Sequence, residues 1–316
     1  MTGLVAVTGA TGFVGSQIVR RLAKSGWQIR ILARQMPSAA LSPGTCLEVI
    51  LGDLNDSNSL QALVRGADLV VHVAGIVKAR RPADFITVNE GGVVNLLTAL
   101  NVVNPAARLI HISSIAAREP GLSPYAASKS AGEAAVERLS AGRKWVILRP
   151  SAVYGPADME ILPLFKAAAA GFCPYPAAPG ARVSLIHVQD LAAAVAAVAT
   201  TADWRRPIYE VDDGGAYSWD MILGALGEAS GRRVKGVRLP RCMIYPVAGF
   251  SQVLQAMTGE TRVLCIAKIP ELYHADWVAH GPRLQDEAAY RSEFGLAAGF
   301  RETLGWYRTH SFIAAT

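Results

Sequence analysis

The chain has 316 residues, of which 51% are hydrophobic and 18% charged, and its formal net charge is +6. That much apolar material excludes a disordered chain and fills either one large α/β unit or a main domain with a smaller second one. Four cysteines stand far apart, with no CxxC and no Cys/His cluster, which argues against a disulfide scaffold or a zinc site and fits a reducing cytoplasm.

The opening, MTGLVAVTGATG, has no charged segment leading into an apolar one, so no export signal is expected. No apolar run reaches the roughly 18–20 uninterrupted residues of a membrane span. Strands are predicted at Leu4–Thr8, Gln28–Ala33, Leu47–Leu51, Leu69–Val73, Leu109–Ser113 and Val146–Leu148. Helices are predicted between them at Gly15–Lys24, Ser57–Arg65, Val88–Leu100 and Ala126–Ser140. Continuous Val/Ile/Leu runs suit strands buried on both faces, and strand–helix alternation implies right-handed crossovers. The fold class is therefore α/β, a Rossmann doubly wound parallel sheet with a smaller, mainly helical C-terminal region. Residues 1–155 form the dinucleotide-binding core, with later returns to the sheet near 183–211 at Val183–His187 and Ile208–Val211. Residues 156–316 are mostly a substrate-binding cap.

Thr8-Gly9-Ala10-Thr11-Gly12-Phe13-Val14-Gly15 follows the first strand and opens the first helix. Gly9 permits the tight turn, Gly12 lets backbone approach a pyrophosphate, and Gly15 lets helix pack on strand. The helix N-terminus offers N–H groups and a positive dipole end to the phosphates. The next strand runs into Arg34, where an NAD-preferring chain usually places an acid. A guanidinium there pairs with a 2′-phosphate, so NADP(H) is expected over NAD(H). Asp53 is a candidate acceptor for the adenine amino group, with Leu54 against the ring; a helix cap is the other reading of Asp53. Ala74 and Gly75, ending the fourth strand, let the cofactor backbone pass close.

Tyr125 and Lys129 are four apart on a predicted helix and share a face. An ammonium beside a phenol lowers the phenol's pKa toward neutrality and makes it a usable acid/base. Ser113 and Ser114 end the fifth strand, at the sheet edge where ligands bind in such folds. His72 and His111, in buried strands, read as satisfied core residues. No metal-ligand spacing and no aromatic–basic stripe for nucleic acid is present.

One stretch is unusual. Cys242–Gly259 carries no charge and follows Arg232, Arg233, Lys235, Arg238 and Arg241. A buried helix is the first reading. The second, with 232–259 in peripheral contact with the inner face of a membrane, uses the basic residues near lipid headgroups.

The segments TGATGFVG at 8–15, GDL at 52–54, VHVAG at 71–75, VNEGGVVNLL at 88–97, HISS at 111–114, SPYAASKSAGE at 123–133, LRPSAVYGP at 148–156 and LIHVQDLA at 185–192 jointly resemble the short-chain dehydrogenase/reductase family. The branch is the extended or atypical, NAD(P)-dependent epimerase/dehydratase-like one. The resemblance implies that Tyr125 is the proton donor or acceptor. It implies that Lys129 binds the nicotinamide ribose and tunes Tyr125, and that Ser114 rather than Ser113 holds the substrate oxygen. Pro150 and Val153 would line the nicotinamide pocket, and Asn89 is structural. Relatives pair two helices per subunit into a dimer interface, so a homodimer through the Tyr125 helix follows by analogy.

Three departures bear on the chemistry. Ala152 stands where sugar-nucleotide members often have Asn. Only ten residues separate Ser114 from Tyr125, where those members have a longer insertion. Arg34 suggests an exchangeable reductant. All three resemble the 3β-hydroxysteroid dehydrogenase and dihydroflavonol reductase relatives. The expectation is NADP(H)-dependent reduction of a carbonyl on an apolar substrate. A 3-oxo lipid of the ketosphinganine or ketoceramide kind comes first, and a steroid- or flavonoid-like ketone second. The alternatives are a nucleotide-sugar epimerase/dehydratase with retained NAD, and a non-catalytic NADPH-binding subunit.

Overall fold

The computed structural model describes residues 3–38, 41, 47–201, 203–258, 264–286 and 290–314. The first elements are β1 (Leu4–Thr8), α1 (Phe13–Lys24), β2 (Gln28–Ala33), β3 (Leu47–Leu51), α2 (Ser57–Val64) and β4 (Leu69–His72). Next come α3 (Pro82–Asn89), α4 (Gly91–Val103), β5 (Arg108–Ile112), α5 (Pro124–Leu139), β6 (Trp145–Pro150) and β7 (Ala152–Tyr154). They are followed by α6 (Leu162–Ala169), β8 (Phe172–Pro176), β9 (Arg182–Val183), β10 (Leu185–His187), α7 (Val188–Thr200) and β11 (Ile208–Val211). The last are β12 (Tyr217–Ser218), α8 (Trp219–Ser230), β13 (Lys235–Leu239), α9 (Arg241–Thr258), α10 (Ile269–Leu272), β14 (Asp276–Trp277) and α11 (Leu296–Thr309).

Two compact units divide the chain. The first holds Met1–Pro150, Leu191–Val211 and Gly281–Tyr290, and the second holds Ser151–Asp190, Asp212–His280 and Arg291–Thr316.

The first unit is a seven-stranded parallel sheet in the order β11-β6-β5-β4-β1-β2-β3. The order reverses between β1 and β4, and at such a switch point the strand ends leave a crevice. One face buries Ala6, Val70, Leu109 and Ile147 under Leu96, Leu97 and Leu100 of α4 and Val136 of α5. Thr8, His72 and His111 are in register with one another and follow that parity, two residues on from Ala6, Val70 and Leu109. Residues 82–103 are long and apolar enough in composition to cross a membrane. They are two helices meeting at Glu90, however, and α4 buries its apolar side in this core. The break at Glu90 also divides what the sequence pattern predicts as one helix.

The second unit is built on Tyr154, Phe165, Phe300 and Tyr307, whose rings pack edge-to-face, with Leu226 and Leu304 in the same cluster, and these bring α6, α8 and α11 together. Asp190 ties down the start of α11 by accepting from Ser292 Oγ at 2.6 Å, Glu293 N at 2.9 Å and Phe294 N at 3.0 Å. The expected return of Val183–His187 to the large sheet does not occur. Leu185–His187 pairs with β7 instead, and Arg182–Val183 lies between β12 and β14. Short apolar runs fit any small sheet that buries them, so periodicity could not choose the partner. Ile208–Val211 does return, as the edge strand beside β6.

Candidate active site

The glycine turn is built as its spacing demands. Gly9 has φ +70°, and a Cβ there would lie 2.6 Å from Ala74 N, so the turn packs directly on the end of β4. Gly15 closes helix on strand, since a Cβ there would collide with the Gly9 carbonyl oxygen. At Gly12 a Cβ would meet nothing nearer than Gly9 O at 3.4 Å. Thr11 and Gly12 are exposed, Phe13 and Val14 half-buried, and α1 opens at Gly12 without a side-chain cap. An exposed, uncapped start of a twelve-residue helix at the carboxyl edge of a parallel sheet is a cradle suited to a pyrophosphate. These residues therefore fit a dinucleotide.

Arg34 is the first residue past β2. It is exposed and makes no hydrogen bond or ion pair among the described residues. Asp53 is also exposed, and its Oδ1 accepts from Asn55 N at 2.6 Å. The cap of α2 is Asp56, which accepts from Asn58 N at 3.0 Å, so Asp53 is not the cap. Leu54 is half-buried and packs against Gly92, and its carbonyl accepts from Asn95 Nδ2 at 2.9 Å. Ala74 N donates to Thr8 Oγ1 at 3.3 Å, and Gly75 is exposed.

Helix α5 starts with Ser123 as cap, accepting from Ala126 N at 3.0 Å, and Pro124 at its first position. That start sets Tyr125 in the first turn, half-buried and edge-on to Phe85 of α3 with ring centroids 6.1 Å apart. One turn on, Lys129 is buried, and its Nζ donates to Ile112 O at 2.8 Å. Burial pulls the Lys129 ammonium down to about 8, and Glu133 opposes that fall. Ser114, half-buried, caps the short helical turn Ile115–Arg118 by accepting from Ala116 N at 3.2 Å; that turn packs on α5. Ser113 instead donates to Glu133 Oε1 at 2.5 Å. Its hydroxyl is thereby committed to the α5 carboxylate. Pro150 is buried at the end of β6, while Val153 lies in β7 and belongs to the second unit.

The sequence reading missed the network beneath these groups. Glu133 is 4% exposed and bound by Arg149, with Nε to Oε1 at 2.9 Å and Nη2 to Oε2 at 2.6 Å. Two signals were present: Glu133 continues the i, i+4 series from Tyr125 and Lys129, and Arg149 is a charge inside an otherwise apolar strand. Asn89 fits its structural reading. It joins Ile76 N (2.8 Å) and Ile76 O (3.0 Å) to Ser128 Oγ (2.9 Å), fixing the loop after β4 against α5.

The two strand histidines are a correction. Their rings stack with centroids 5.3 Å apart. Thr8 Oγ1 meets His72 Nδ1 at 2.7 Å, but His72 Nε2 and both nitrogens of His111 have no hydrogen-bond partner among the described residues. Burial, helped by Lys129, lowers His72 to about 3 and His111 well below its ordinary value, so both rings are neutral. Sequence periodicity reports burial but not whether a buried polar atom finds a partner.

The sequence model of the NAD dependent epimerase/dehydratase family matches residues 5–211. The chain belongs to this family. A curated relative, "Ceramide reductase" of Caulobacter vibrioides, is 37% identical over 98% of this chain and 96% of its own length. "Sterol demethylase protein B" of Methylococcus capsulatus is 25% identical over 97% of this chain and 99% of its own. Among solved structures, UDP-glucose 4-epimerase from Bifidobacterium longum in complex with NAD+ and UDP superposes with a TM-score of 0.74 at 17% identity. That match covers 98% of this chain and 99% of the other; at that identity it speaks for the fold alone. As a member of the epimerase/dehydratase family with these relatives, the chain is an NAD(P)-dependent oxidoreductase.

Proposed function

We propose that this enzyme uses NADPH to reduce the ketone of a 3-oxo sphingolipid, of the ketoceramide or ketosphinganine kind, to the alcohol. The observation that carries the substrate class is the near full-length match to a curated ceramide reductase. Arg34, exposed past β2 with no acid in its place, supports the choice of NADPH.

The glycine turn at Gly9, Gly12 and Gly15 holds the pyrophosphate, Arg34 the 2′-phosphate, and Asp53 with Leu54 the adenine. Ala74, Gly75 and Pro150 would hold the rest of the dinucleotide. When bound, the reduced nicotinamide supplies a hydride. The chain's own part is to manage the oxygen. Ser114 donates a hydrogen bond to the ketone and fixes its orientation. Tyr125 gives its phenolic proton to the same oxygen, so the carbonyl carbon gains hydride and the oxygen gains a proton. Lys129, charged below about pH 8, stabilises the phenolate left on Tyr125 until solvent restores its proton. Glu133, Arg149 and Ser113 are positioning residues: the ion pair fixes α5 against the strand ends, and with it the Tyr125–Lys129 face.

The test is a turnover assay on the purified protein. With NADPH and a long-chain 3-oxoceramide in mixed micelles, mass spectrometry should show the 3-hydroxy product. NADH should support a slower reaction. No reduction of any 3-oxo lipid, together with interconversion of UDP-glucose and UDP-galactose, would replace this reading with the epimerase one.

A further inference from the structure

Helix α9 inverts the ordinary pattern of a surface helix. Its sequence from Cys242 to Thr258 contains no Asp, Glu, Lys or Arg. The first reading of this stretch, a buried helix, is overturned by its exposure; Gly259 lies outside the described residues. Among its described side chains, only Ile244 and Ala248 are fully buried, one turn apart, against Ile269 with Leu239 and Tyr273 at the edge. Met243, Val247, Phe250, Val253 and Met257 follow at helical spacing on another face, and all are at least half exposed; Phe250 is 65% and Met257 78% exposed. Tyr245 adds a part-exposed ring. Isolated exposed apolar residues are ordinary, but an eighteen-residue helix with an apolar stripe outward and no charge after its first residue, Arg241, is not.

The second observation is the charge beside it. From Ala229 to Gly259 the chain has no acidic residue, while Arg232, Arg233, Lys235, Arg238 and Arg241 all lie exposed. Arg238 and Arg241 sit close enough to Tyr273, at the base of α9, for their charges to lower its phenol's pKa against the rise caused by burial. Glu271, also near the base of α9, is paired with Lys268 at 2.5 Å; Arg232 and Arg233 lie further off, in a cavity lined also by Asp220 and Glu228. An apolar stripe with Arg238 and Arg241 exposed at its base matches an interface that is apolar inside and anionic at its rim.

We propose that α9 and its basic border dock the protein on the surface of an anionic phospholipid bilayer. The stripe enters the boundary between headgroups and acyl chains, and Arg238 and Arg241 meet lipid phosphates. A second copy of this chain fits less well. A two-fold interface is self-complementary, so it would bring Arg238 and Arg241 of two copies together, and neither pairs with an acid among the described residues. The proposal stands on the second unit's surface alone and does not depend on the substrate assigned above. The docked protein would nonetheless meet any lipid substrate in the layer where that substrate resides.

Vesicle flotation of the full-length protein tests it. The protein should float with vesicles rich in phosphatidylglycerol, stay behind with phosphatidylcholine alone, and be released by high salt. Phe250→Glu with Val253→Glu should weaken partitioning on the order of ten-fold or more. Arg238→Gln and Arg241→Gln should each weaken it roughly five-fold. Both sets lie on the surface, and NADPH binding followed by fluorescence reports that the variants remain folded. Failure of the wild type to float with anionic vesicles overturns the proposal, as does unchanged binding by the Phe250/Val253 variant. A wild-type dimer that this variant converts to monomer would assign the face to a second copy instead.

Discussion

Helix α5 turns its ions inward, and helix α9 turns its apolar side chains outward. In α5, Lys129 and Glu133 are buried, and each finds an answer: a strand-end carbonyl for the ammonium, the Arg149 guanidinium and Ser113 hydroxyl for the carboxylate. In α9, Met243, Phe250 and Met257 stand in water, and the helix has no charge beyond its first residue, Arg241. Burying a charge costs several kcal/mol unless it is paired, and exposing an apolar stripe forgoes burial worth about 2 kcal/mol per large side chain. Neither arrangement serves folding by itself. Both regions depart from the pattern that stability alone would select, and that is where a chain gives up stability for function.

The comparison can be broken most sharply at Tyr125. Tyr125→Phe should lower turnover by about 10²–10⁴-fold while dinucleotide binding, followed by fluorescence titration, stays within a small factor. A rate within ten-fold of wild type would mean that the α5 face is structural and not the reaction centre. Next in size is the buried ion pair. Arg149→Met leaves the Glu133 carboxylate buried without its cation and should cost about 3 kcal/mol in urea unfolding. A loss below about 1 kcal/mol would show that the pair is not what holds α5.

Smaller effects sharpen the picture. Arg34→Ser should cut the preference for NADPH over NADH by roughly ten-fold, read as the ratio of the two kcat/KM values. An unchanged ratio would remove Arg34 from the cofactor site. The smallest is the pH response of Lys129, whose folded value of about 8 lies below the ordinary 10.5. Reduction should slow several-fold as pH rises through 8 and the ammonium is lost. Stability should move the other way. Below pH 8 both states carry the charge and the burial penalty is complete. From there toward 10.5 the folded state binds fewer protons than the unfolded one, so this group's contribution to stability rises. Lys129→Met should abolish both trends, and a wild-type profile in which rate and stability fall together would contradict the assignment.

The sequence by itself determined the parallel sheet, the glycine turn and the spacing of Tyr125 and Lys129. Each of these is written locally, in runs of Val and Ile, in a residue that tolerates φ +70°, or in a four-residue helical step. Ser123 as the cap that starts α5 was legible for the same reason. The tertiary structure alone decided what depends on partners distant in the chain. It committed Ser113 to Glu133, twenty residues away, while Ser114 accepts only from the nearby Ala116 N among the described residues. It joined Glu133 to Arg149 and stacked His72 on His111 with three ring nitrogens unmatched among the described residues. It sent Leu185–His187 to β7 rather than to the large sheet, and it turned the apolar face of α9 to solvent. Periodicity says that a face is apolar or a strand buried. What lies against that face, and whether a buried polar atom meets a partner there, is fixed only when distant segments pack.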